Sequence, residues 1–73
     1  MKYNIGDLIL GSGYYRQIYK IEGELYKCIC ADKFSKDVFL MNSGIDLLDR
    51  CNYPIDNNKE ILKLLEEAKA EIL

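Results

Sequence analysis

The residues closest to chemistry are three cysteines, at 28, 30 and 51, and two carboxylates three positions apart, Asp46 and Asp49. Cys28-x-Cys30 with Cys51 would offer three thiolates to a metal, whereas a structural zinc site takes four ligands, usually from paired Cys knuckles. Alternate residues of a strand face one side, so Cys28 and Cys30 share a face. The reading they favour is a set of buried reduced thiols acting as small apolar fillers. Asp46 and Asp49 lie in a short polar turn, where solvated carboxylates are the expected state rather than a general acid–base pair. The chain has no histidine. That removes Ser-His-Asp and Cys-His catalysis and most catalytic zinc sites. Gly11-Ser12-Gly13 lacks the following helix and lysine that a phosphate-cradling loop needs. The expectation is a non-enzymatic chain with no catalytic residue, no metal site and no cofactor.

What remains is binding chemistry. Six tyrosines in 73 residues is a high share. Aromatics on strands mostly serve cross-strand packing, yet tyrosine is also favoured at protein interfaces. Tyr14 and Tyr15 follow a Gly-rich turn and Tyr53 precedes Pro54, and the interface reading is strongest for Tyr14 and Tyr53. Net charge is -2, from 10 basic and 12 acidic residues. Proteins that grip nucleic-acid backbones usually show a basic surplus. The local concentration Arg16, Lys20 and Lys27 keeps a nucleic-acid-binding surface as a lesser alternative. No apolar run approaches the roughly 18 residues of a membrane span, and the N-terminus has no apolar stretch of the signal-peptide kind. An odd number of cysteines fits a reducing compartment, so a cytoplasmic location is expected.

The elements that must position these side chains are mainly strands. Residues 3–10 read as a first strand interrupted by a bend or bulge at Gly6-Asp7. Tyr14–Ile21 and Glu24–Ala31 read as a hairpin turning at Glu22-Gly23. A two-residue turn there sets Tyr19 opposite Tyr26, Gln17 opposite Cys28 and Tyr15 opposite Cys30. Tyr15, Tyr19, Ile21, Tyr26, Cys28 and Cys30 then share a face, and Tyr14, Arg16, Ile18, Lys20, Leu25, Lys27, Ile29 and Ala31 the other. A longer turn with a bulge would regroup them. Asp32–Lys36 reads as a polar turn, Asp37–Met41 as a fourth strand and Asn42-Ser43-Gly44 as another turn. Ile45–Cys51 is ambiguous: Ile45, Leu48 and Cys51 fall at spacing three, which fits a short 3₁₀ or helical turn leading into or out of a last short strand. Asn52-Tyr53-Pro54 stops regular structure. Ile61, Leu62, Leu64, Leu65, Ala68, Ile72 and Leu73 recur at helical spacing. Asn57 with Glu60 has the capping-box form, Ile55 is placed to staple Ile61, and Lys63 with Glu67 is spaced for an ion pair.

Tyr3-x-Ile5-Gly6-Asp7-x-Ile9, Ile18-x-x-Ile21, Tyr26-x-Cys28-x-Cys30 and Ile45-Asp46-x-Leu48 together resemble the small SH3-like barrels of bacterial and phage proteins. The likeness covers residues 2–51, and it implies a binding or adaptor module rather than an enzyme. It transfers no functional residue, because such barrels bind many unrelated things. The chain departs from peptide-binding SH3 domains in having no tryptophan, and its one proline, Pro54, lies beyond the barrel.

The sequence therefore predicts one domain over 1–73: an SH3-like antiparallel barrel or bent sheet of four to five strands over 2–51, then an amphipathic helix over 57–73. Its expected role is a small intracellular protein-interaction module of a low-GC bacterium or its phage. It would bind a protein partner through Tyr14, Tyr15 and Tyr53 and through Leu62 and Leu73 of the helix. The helix either covers an open side of the thin barrel or turns its surplus apolar edge to a partner or a second copy, the homodimer alternative. The alternative is a phage-encoded acidic inhibitor of a host enzyme or defence complex, presenting Asp46, Asp49, Asp56, Glu60, Glu66, Glu67 and Glu71.

Overall fold

The β-rich stretch from Leu8 to Ser43 forms four strands, β1 (Leu8–Gly11), β2 (Tyr14–Glu22), β3 (Leu25–Asp32) and β4 (Val38–Ser43). Two helices follow, α1 (Ile45–Cys51) and α2 (Lys59–Ile72). The computed structural model describes residues 2–11, 13–51 and 59–73, and of Cys51 the backbone alone. The strands make one antiparallel sheet in the order β1-β2-β3-β4. It is an open meander with β1 and β4 at its edges. Among the described residues it does not close into a barrel, and no fifth strand follows, because Ile45–Cys51 is helical.

The hairpin turns one residue later than its sequence suggests. Glu22 pairs with Leu25, leaving Gly23-Glu24 as the turn. Gly23 takes a φ of 58°, which the first central position of a type II′ turn requires. The register then shifts between Ile18 and Lys20, a bulge at Tyr19. The bulge reverses the side-chain alternation, so Ile18 and Ile21, three apart, reach the same face. This corrects the expected grouping. Ile18 joins Tyr26, Cys28 and Cys30, while Tyr15 and Tyr19 pack with Ile29 and Ala31.

Both sheet faces are covered. On one lie Tyr3, from the segment before β1, and Leu48 of α1, packed on Ile9, Ile18, Tyr26, Cys28 and Cys30. Tyr3 Oη donates a 2.6 Å hydrogen bond to Asp49 Oδ1, tying that segment to α1. On the other lies α2, whose Ile61, Leu65 and Ala68 pack on Ile29 and Ala31. The central strand β3 is thus buried on both sides, which explains its unbroken apolar run Cys28-Ile29-Cys30-Ala31.

The first strand is shorter than expected. Residues 3–7 are not strand: Gly6, at φ 97°, turns the chain, and Gly6 N–H still bonds Ile18 O at 2.7 Å. Conversely β4 runs on through Asn42 and Ser43, which read as a turn. On α2 Lys69 pairs with Glu66 at 3.0 Å, and the expected pairing of Lys63 with Glu67 is not made. The cap at Asn57, the staple at Ile55 and the stop at 52–54 lie outside the described residues.

Candidate functional site at the turn end of the sheet

The β1–β2 and β3–β4 turns meet at one end of the sheet, where Lys33 N–H donates to Gly13 O at 2.8 Å. The β3–β4 turn is held from within. Asp32 Oδ1 accepts the backbone N–H of Phe34 at 2.8 Å and of Ser35 at 2.9 Å. Asp32 O accepts Lys36 N–H at 3.1 Å, and Asp32 N–H donates to Asp37 O at 2.8 Å. Lys36 completes the turn at φ 66°, in the left-handed region, so Lys36 and Asp37 together oppose Asp32 as a bulge. The two backbone donors, Ser35 first and then Phe34, hold the Asp32 carboxyl below its ordinary pKa.

This turn presents Phe34, whose surface is 83% exposed, the highest among the large apolar residues described. Lys33 Nζ sits 6.0 Å from its ring centroid. Tyr14, paired with Asp32 at the same end, stands edge-on to Phe39 with centroids 5.3 Å apart. The Arg16 guanidinium lies 5.7 Å from the Tyr14 ring centroid. The end of the sheet is therefore an aromatic rim with lysines 33 and 36 beside it. Phe34 was not among the sequence candidates. Its signal was an aromatic residue between two lysines in an otherwise polar turn.

The other candidates separate. Tyr14 is half-buried at the rim, but Tyr15 lies under α2 with Tyr19, on the opposite face from the Tyr14–Phe39 contact. Tyr53 lies outside the described residues. Leu62 is half-buried on α2, and Leu73 is exposed beside exposed Ile72 at the helix end. Arg16, Lys20 and Lys27 do not form a basic patch. Arg16 is buried within the sheet, its Nη1 donating to Gly11 O at 3.1 Å. Lys20 and Lys27 both bind Glu22, at 2.9 and 3.4 Å. These bonds lower the pKa of Glu22 and raise that of Lys20.

Cys28 and Cys30 are free thiols in the core. Burial pushes both up, Cys30 to about 12, so neither is a thiolate near neutral pH. Among the described residues no His, Cys, Asp or Glu cluster is arranged to hold a metal. Asp49 takes a bond from Tyr3 and pairs with Lys2 at 2.9 Å, which lowers its pKa and fixes it as a charged structural anchor. At the far end of the sheet a shallow groove of about 570 Å³ runs between Leu25, Tyr26 and Ile45, with Lys2 and Asp46 at its margin. Among the described residues no helix is long and apolar enough to cross a membrane.

No protein-family model, curated protein or solved structure matches the chain.

Proposed function

We propose that the protein is a small, non-enzymatic protein-interaction module that docks its aromatic rim into a partner, with Phe34 as the anchor and Tyr14 beside it. The observation that carries this reading is a phenylalanine left 83% exposed on a turn locked by the Asp32 carboxylate. An exposed ring gains nothing for folding, whereas interface hot spots are aromatic anchors entering partner pockets. A turn ordered before contact loses little entropy on binding, so its fixed shape favours affinity. Exposed Ile72 and Leu73 at the end of α2 offer a second apolar contact. The likeness of residues 2–51 to small SH3-like modules belongs to the same proposal, supported by the antiparallel meander and the Gly6-Asp7 bend. So does the cytoplasmic location, which the unpaired, buried Cys28 and Cys30 support.

The test is capture from source-cell extract, with the retained proteins identified by mass. Phe34→Ala is expected to lose the proteins that the wild type and Lys63→Ala retain, with an unchanged melting temperature. Equal retention by Phe34→Ala overturns the reading. The acidic-inhibitor reading ranks second: Asp49 is bound to Lys2 and Glu66 to Lys69, so the C-terminal third is not a bare acidic surface. The nucleic-acid reading ranks third, since Arg16 is buried and Lys20 and Lys27 both pair with Glu22.

A further inference from the structure

Among the described residues, β4 is an edge strand without the usual protection. Native edges are blunted by charge, proline, bulges or cover. Val38-Phe-Leu-Met-Asn-Ser43 has no charged residue and no proline, and its register against β3 is unbroken. Leu40 is 44% exposed and Asn42 is exposed. No described element pairs with its outer side. Such a segment left bare is an aggregation hazard.

The direction of its free backbone groups follows from the turn. Asp32 N–H bonds Asp37 O, so that pair is of the hydrogen-bonded type. Hydrogen-bonded pairs recur every second residue of an antiparallel ladder. Residues 39, 41 and 43 therefore turn their backbone groups toward β3, while Val38, Leu40 and Asn42 turn theirs outward. Three successive outward donor–acceptor sets make a complete template for another strand.

We propose that this template is filled by β4 of a second copy, antiparallel about a two-fold axis at Leu40. In that register Leu40 pairs with its own counterpart, Val38 with Asn42 and Phe39 with Met41. Every pair on either face is apolar or neutral. Asp37, the nearest charge, falls opposite Ser43, so no like charges meet. The six outward groups on each strand satisfy one another, and a two-fold pairing closes where a head-to-tail contact would propagate. The result is one eight-stranded sheet. The proposal stands apart from the rim reading, since Phe34 lies beyond the strand and stays free.

The test is sedimentation equilibrium of the full chain with charge-swapped variants. The wild type should sediment with twice the mass of the 8.5 kDa chain. Leu40→Lys and Leu40→Glu each place like charges opposite across the axis and should weaken self-association at least roughly tenfold. Mixing the two should restore a dimer containing one of each. Hydrogen exchange should show Val38, Leu40 and Asn42 amides protected in the wild type and fast in Leu40→Lys. A monomeric wild type, a dimer indifferent to both charges, a mixture that stays monomeric, or fibres in place of dimers would each overturn the proposal. A dimer held by α2 would pass the mass measurement and fail the charge swap.

Discussion

Arg16 is the residue whose position most needs a physical reason. It is only 2% exposed, its Nε has no hydrogen-bond partner, and among the described residues no carboxylate forms an ion pair with it. Its neighbours across the strands are Ile9 and Cys30. A buried cation without a counter-charge is costly, and one bond to Gly11 O with a ring contact from Tyr14 offsets only part of that. Replacing buried ionic groups by apolar residues of similar volume is often neutral or stabilising. Arg16→Met is therefore expected to leave the fold intact and to raise stability by about 1–2 kcal/mol, read as the shift in urea midpoint at unchanged slope. A loss of stability would instead assign the guanidinium a structural role that these contacts do not explain. The pattern of strand residues could not reveal this burial, since an arginine followed by a glutamine, in Tyr14-Tyr15-Arg16-Gln17-Ile18, reads as an exposed position.

At the scale of elements, the β3–β4 turn carries its own pH dependence. Asp32 accepts its two backbone bonds more strongly when ionised, so its folded pKa lies below the ordinary value of about 3.9. Stability from this carboxylate is therefore complete above that value and is lost as pH falls through the lowered folded pKa. Acidification should speed amide exchange of Phe34 and Ser35 before the strands open, and Asp32→Ala should show fast exchange there even at neutral pH. This turn was legible as a polar turn from its composition, as were β2, β3 and α2 from their apolar spacing. The register was not legible. Tyr26, Cys28 and Cys30 alternate cleanly, but their partners on β2 depend on a turn displaced by one residue and on a bulge at Tyr19. Each moves side chains by one face, and the local sequence carries no mark of either. α1 was ambiguous because seven residues hold too few turns to establish a period.

At the scale of the whole molecule, the sheet divides an already small core into two thin halves. Ile18 lies in the half under Tyr3 and α1, and Ile61 in the half under α2. A domain this small keeps about 4–11 kcal/mol of net stability, too little for either half to persist alone. The halves share β3, whose Cys28 and Cys30 face one and whose Ile29 and Ala31 face the other. Opening one face exposes one side of that strand and loosens its ladder to β2 and β4, so the second half loses its floor. The expected behaviour is one cooperative transition, with tyrosine fluorescence and far-ultraviolet circular dichroism tracing the same curve. Ile18→Val and Ile61→Val should each cost about 0.5–1.5 kcal/mol, because each removes one buried methylene from a fully buried site. The sheet keeps the two side chains out of contact, so the double variant should cost their sum to within about 0.5 kcal/mol. Two separated transitions, with Ile61→Val moving only the helix signal, would mean that α2 is an appendage and that the half-core beneath α1 folds without it.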